Sequence, residues 1–106
     1  MRLYHNPRCS KSRQAVAILT ESGVDFEEYR YLELGIAEED LEILSSLTGI
    51  IRTNEEEFKS DKFDINNIKL VKEALTKVPK LLQRPVLVKS QKAVIGRPPE
   101  DIKSII

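Results

Sequence analysis

The first 31 residues hold a strand, a helix and a second strand, and that order leaves few folds open. Arg2 to His5 reads as a strand, and Asn6-Pro7 marks a turn. From about Ser10 to Ser22 the chain carries Ala15, Ile18 and Leu19 on one helical face. Gly23 closes this helix as a C-terminal cap. Asp25 to Tyr31 (DFEEYRY) alternates loosely and is rich in aromatic residues, which predicts the second strand. A βαβ unit of about 30 residues sets its strands parallel, with a right-handed crossover.

The remaining pattern is helical and then β-rich. A helix is expected from Ala37 to Leu47, with Leu41, Leu44 and Leu47 at helical spacing. Glu38, Glu39 and Asp40 fall in its first turn, where the helix dipole favours acidic side chains. Ile50 to Asp64 is polar and irregular, with a helical turn around Glu55 to Phe58. Ile65 to Val78 places Ile68, Val71, Leu75 and Val78 on one face, and Pro79 opens a turn at Lys80 to Gln83. Pro85-Val86-Leu87-Val88 and Ala93-Val94-Ile95 flank Lys89-Ser90-Gln91-Lys92 as a hairpin. Pro98-Pro99 starts a terminal helix through Ile102, Ile105 and Ile106. The expectation is an α/β chain, one domain over residues 1–106 with a helical insertion at about 37–82. Its order, β-α-β, insertion, β-β-α, is that of a thioredoxin-like fold, a four-stranded mixed sheet flanked by helices.

Composition narrows the partners. A chain of 106 residues suits a single core. Lys+Arg 17 against Asp+Glu 17 gives no net charge, so neither nucleic acid nor an anionic membrane is expected as a partner. No apolar run approaches the ~20 residues of a membrane span, and the N-terminus has no signal-peptide pattern. A cytoplasmic monomer without a bound metal or cofactor is expected.

Cys9, the one cysteine, falls where the first strand gives way to the first helix, among His5, Arg8, Lys11 and Arg13. Free thiols titrate near ~8.5, and a helix N-terminus with nearby cations lowers that to roughly 3.5–7.5. A lone cysteine is more often a buried structural residue, but these cationic, turn-like flanks favour a reactive thiolate. With no second cysteine, any redox step must borrow a thiol from another molecule.

Arg52, Arg84 and Arg97 lie far from Cys9 in sequence, and topology brings two of them back. A third strand antiparallel to the first begins at the end where the first runs into Cys9, directly after Arg84. The hairpin turns at Ser90-Gln91 and returns to finish at Ile95-Gly96-Arg97. A cysteine at a helix N-terminus with converging guanidinium forks suits a tetrahedral oxyanion. Taken singly, each arginine is more simply a solvated surface residue, and the hairpin argument does not reach Arg52. His5 has two readings of equal standing: an imidazolium that lowers the thiol pKa, or a group satisfying the strand end. Ser12 either donates to the thiolate or sits in the first helical turn, where serine is common, and Asn6 shapes the turn. Pro85 at a strand start needs no ladder hydrogen bond. A cis Arg84-Pro85 bond would turn the arginine toward the site, although cis bonds are the minority form.

These stretches resemble the glutaredoxin-coupled arsenate reductases, a family with a thioredoxin-like fold. The matching segments are His5-Asn6-Pro7-Arg8-Cys9-Ser10-Lys11-Ser12-Arg13 (family form H-N-P-x-C-x-x-S-R), Tyr31-Leu32-Glu33, Arg52-Thr53-Asn54-Glu55, Arg84-Pro85 and Gly96-Arg97-Pro98-Pro99-Glu100. They run in order over essentially the whole chain, as a branch with Cys-Ser-Lys-Ser-Arg at the site. The resemblance implies Cys9 as nucleophile and Arg52, Arg84 and Arg97 as the oxyanion-binding triad. It also implies that His5 helps keep Cys9 ionised, that Ser10, Lys11, Ser12 and Arg13 form the loop around the substrate, and that the bond at Pro85 is cis. The implied substrate is arsenate or a similar oxyanion, with glutathione as cosubstrate and glutaredoxin as the partner that regenerates the thiol.

Two other readings compete. Cys9-Ser10-Lys11-Ser12 has the C-x-x-S spacing of a glutathione-linked monothiol oxidoreductase without an oxyanion substrate, although disulfide exchange does not require an arginine cage. A non-enzymatic regulator of the same fold that binds RNA polymerase would typically carry C-x-x-C, and Ser12 removes the second thiol.

Overall fold

The computed structural model describes residues 1–106. Strand β1 (Arg2–Tyr4), helix α1 (Ser10–Glu21) and strand β2 (Glu27–Tyr29) form the βαβ unit, with β1 and β2 parallel. Helices α2 (Tyr31–Leu34), α3 (Glu38–Ser45), α4 (Glu56–Ser60) and α5 (Ile68–Lys77) follow, then a 3₁₀ turn at Pro79–Leu81. Strands β3 (Val86–Lys89) and β4 (Lys92–Ile95) make the hairpin, and a 3₁₀ segment spans Pro99–Ile105. The sheet order is β2-β1-β3-β4, with β3 antiparallel to both neighbours. This is the thioredoxin-like fold, a four-stranded mixed sheet flanked by helices. No helix is long and apolar enough to cross a membrane.

Strand alternation explains how the sheet buries both faces. Leu3 and Leu87 point to one side, where they pack with Ala15, Leu19 and Ile102 beneath α1 and the C-terminal segment. Tyr4, Val86 and Val88 point to the other, where they meet Tyr31, Leu44, Val71, Leu75 and Leu82. Each buried Leu or Val side chain contributes roughly 1.5–3 kcal/mol of transfer free energy. The central strands β1 and β3 are therefore fixed from both sides, and their ends are rigid places on which to build a site.

Several boundaries differ from the sequence expectation, each for a local reason. The second strand covers Glu27–Tyr29 rather than Asp25 to Tyr31, because as an edge strand it extends only as far as β1 offers partners. Tyr31 instead opens α2. The helix expected from Ile65 begins at Ile68, since the Asn67 side chain accepts from the Leu70 amide at 3.3 Å and caps it there. That late start leaves Ile65 outside the helix and exposed. The helix expected over Ala37 to Leu47 covers Glu38–Ser45, and the turn near Glu55 to Phe58 is α4. The terminal helix is 3₁₀ rather than α. Three residues per turn align Pro99, Ile102 and Ile105 in one column, which buries Pro99 and Ile102 and packs Ile105 on the Leu3 cluster.

Candidate active site

Four strand ends share one row. Tyr4 pairs with Tyr29 and with Val86, and Val86 pairs with Ile95. One or two residues past that row lie His5, Tyr31, Arg84 with Pro85, and Gly96 with Arg97, so the register alone gathers them. Arg52 arrives by another route. Ile51 bridges Leu82, the Arg52 amide donates to the Leu81 carbonyl at 2.8 Å, and the Gln83 amide donates to Ile50 at 2.7 Å. This short antiparallel contact lays Arg52 beside the residues that lead into Arg84. The Arg84-Pro85 and Arg97-Pro98 bonds are both cis.

Cys9 is the N-cap residue of α1, in extended conformation and without a side-chain cap bond. Its amide donates to the Asn6 carbonyl at 3.0 Å, closing the turn. Burial is the largest influence on the thiol and pushes its pKa up. The Ser12 amide, the Arg84 guanidinium and the Lys11 amide act against it, and the net shift is downward. Helix amides and a cation thus hold the sulfur toward the thiolate.

The arginines are arranged around that sulfur. Arg97 Nε donates to the Arg84 carbonyl at 2.9 Å, and its Nη2 stands 3.9 Å from Cys9 Sγ. Arg97 is itself drawn below its ordinary value, first by burial and then by Arg52 and Arg84, with Cys9 opposing. It stays charged regardless. Arg52 is held by Gln83 Oε1 at 2.7 Å and Glu55 Oε1 at 3.3 Å. Buried Arg84 Nε has no partner, and neither does the buried Tyr31 hydroxyl. Leaving a buried donor unpaired costs about 1–3 kcal/mol, so the site carries donors without acceptors.

His5 is buried and its pKa is lowered, with desolvation the main cause; Arg30 and Arg13 add to the shift and Glu28 opposes it. The imidazolium reading therefore gives way to a neutral ring, whose burial disfavours the second proton. His5 Nδ1 lies 2.7 Å from Ser12 Oγ, which also accepts from the Asn6 amide at 3.0 Å. Ser12 thus knits the end of β1 to the first turn of α1, and it is its backbone amide that acts on Cys9. Asn6 Oδ1 accepts from the Arg8 amide at 3.0 Å and shapes the turn. Arg13 Nη1 donates to the Pro7 carbonyl at 2.9 Å, so its side chain braces the loop. Ser10 and Lys11 are exposed.

Three residues at this site lie outside the sequence reading of its chemistry: Tyr31, Gln83 and Glu55. Gln83 and Glu55 hold Arg52, and each is separated from its partner by a turn or an insertion that carries no periodic signal. Tyr31 was visible as an aromatic residue at the end of a strand pattern and as the head of the matching segment Tyr31-Leu32-Glu33, with no role in the chemistry attached to it. No cluster of His, Cys, Asp or Glu offers a metal-ligand set. What remains is a nucleophilic sulfur at a helix N-terminus facing guanidinium groups, suited to binding an anion and attacking its central atom.

The sequence profile of the ArsC family matches residues 4–105. An arsenate reductase of Haemophilus influenzae is 34% identical, over 98% of this chain and 97% of its own length. The solved structure of an arsenate reductase from Vibrio cholerae is 31% identical, covers 100% of this chain and 98% of its own, and superposes with a TM-score of 0.84. The regulatory protein MgsR of Bacillus subtilis is 31% identical over 93% of this chain and 84% of its own length.

Proposed function

The chain belongs to the ArsC family, and we propose that it is an arsenate reductase in which Cys9 is the sole nucleophile and glutathione and glutaredoxin supply the electrons. The observation that carries this reading is a lone thiol with a lowered pKa, 3.9 Å from a guanidinium of an arginine cluster. Arg52, Arg84 and Arg97 hold arsenate, and the Cys9 thiolate attacks arsenic as hydroxide leaves. Glutathione then attacks the Cys9 sulfur. The sulfur–arsenic bonding pair stays on arsenic, which leaves as arsenite, two electrons richer. Cys9 is left in a mixed disulfide with glutathione, and a glutaredoxin thiol takes the glutathione to regenerate it. The surrounding residues raise the thiolate fraction, fix the sulfur and neutralise charge on the attacked oxyanion.

The test is arsenate-dependent NADPH oxidation coupled through glutathione reductase, glutathione and glutaredoxin. Wild type should turn over, Cys9→Ser should be inactive, and Arg52→Ala should be strongly impaired. Wild-type turnover no faster than Cys9→Ser ends the reductase reading. Arg52→Ala at full activity ends the three-arginine assignment alone. Turnover of a glutathione mixed disulfide without arsenate-dependent turnover would point to the monothiol oxidoreductase instead. The kinship with the regulatory protein MgsR favours one further reading, a regulator. RNA polymerase is the partner we propose for that reading, and co-elution with polymerase in size-exclusion chromatography would support it.

A further inference from the structure

The Tyr31 hydroxyl and Arg84 Nε are both buried and both lack a partner. The Tyr31 ring is fully buried in the larger core cluster, 6.2 Å between centroids from Tyr4, so the phenol is anchored from behind. Its hydroxyl stands in the field of the whole site: burial raises its pKa most, Arg84 and Arg52 draw it down, and Cys9 pushes it up. The Arg84 guanidinium is near enough to draw the phenol down both by its charge and as a side-chain donor, yet neither the Tyr31 hydroxyl nor Arg84 Nε completes a hydrogen bond with any group of the protein. A phenol raised above its ordinary value keeps its proton at neutral pH and is a donor. Two unpaired donors beside one nucleophile ask for one acceptor-rich occupant, since buried polar atoms in folded proteins are otherwise paired.

We propose that the Tyr31 hydroxyl is a direct ligand of the substrate oxyanion, donating to one of its oxygens alongside the Nε–H of Arg84. The inference rests on the oxyanion reading of the site given above and adds an uncharged contact to it. A guanidinium attracts any anion, whereas a phenol fixed by the core donates in one direction only. Tyr31 therefore sets how a tetrahedral anion is turned with respect to Cys9, besides adding affinity.

The experiment follows alkylation of Cys9 by iodoacetamide as arsenate is added, in wild type and in Tyr31→Phe, which keeps the ring and removes only the oxygen. Arsenate should protect wild type, and Tyr31→Phe should need about tenfold or more arsenate for the same protection, in keeping with one hydrogen bond to a charged group. Equal protection of the two proteins overturns the Tyr31 assignment and leaves the oxyanion reading standing. No protection of wild type removes the oxyanion reading and this inference with it. Should Tyr31→Phe not fold, wild type labelled at tyrosine Cζ gives the answer directly. The Tyr31 resonance, identified once Tyr4→Phe and Tyr29→Phe account for the other two, should move on arsenate addition, and a resonance that stays in place overturns the assignment.

Discussion

Cys9 is partly buried, and burial alone would keep its proton on. The net downward shift shows that the Ser12 and Lys11 amides together with Arg84 outweigh that penalty. The sign gives a prediction. Replacing Arg84 by Gln removes a positive charge that favours the thiolate, so the pKa rises and alkylation of Cys9 should need a higher pH. His5→Asn, which can retain a bond to Ser12 from the place of Nδ1, should move that midpoint far less, because a neutral ring contributes no charge. The pH dependence of iodoacetamide labelling in the two variants checks both expectations, and a larger shift in His5→Asn would restore the imidazolium reading. At this scale the sequence showed the thiol, its cationic flanks and the two hairpin arginines, because chain direction and a two-residue turn determine where they fall. It left the protonation of His5 open, since burial by distant segments decides that. It singled out Tyr31 only as part of a matching segment and gave it no role, since its relation to the site depends on where an edge strand stops.

The hairpin and the C-terminal 3₁₀ segment meet at Gly96, and their packing holds Arg97 where it is. The Gly96 amide donates to the Pro85 carbonyl at 2.8 Å. A Cβ at this position would stand 2.9 Å from Pro85 Cγ and 3.0 Å from Ile102 Cγ2. Both neighbours are buried, and a proline ring has little freedom to yield. Gly96→Ala should therefore destabilise the fold by about 1–3 kcal/mol, the usual cost of overpacking a core. Because Arg97 follows directly, the variant should also bind oxyanion more weakly. A urea midpoint as high as that of the parent would show that the segment moves aside freely. The elements themselves were largely readable, since the βαβ unit and the hairpin carry strong period and turn signals. The short bridge between Ile51 and Leu82 was not, because a single pair leaves no periodicity, and Arg52 could be placed only through the resemblance.

At the scale of the whole molecule, the two ends of the sheet do different work. At the start of β1, Arg2 binds Glu27, Glu39 and Asp40 at 2.9–3.0 Å, and Asp40 also accepts from the Tyr4 hydroxyl at 2.7 Å. These contacts fasten α3, and with it the helical insertion, to the sheet, so that Arg52 is presented from a fixed support. The opposite end gathers the arginines and the thiol, giving a chain of zero formal charge a cationic pole. That pole holds one sulfur and no other, because Cys9 is the only cysteine in 106 residues. Reduction of arsenic(V) to arsenic(III) takes two electrons, and a single thiol that forms one bond to arsenic cannot deliver them and return to its starting state. A protein with a second cysteine could close a disulfide and release its product unaided. The proposed chemistry here must stop at the Cys9–arsenic adduct until an external thiol arrives. Wild type incubated with arsenate alone should release no arsenite. Added glutathione should then release at most one arsenite per chain, leaving Cys9 glutathionylated by intact mass, and glutaredoxin with further glutathione should make release continuous. Arsenite formed repeatedly without any added thiol would contradict the single-nucleophile mechanism, whatever the arginines do.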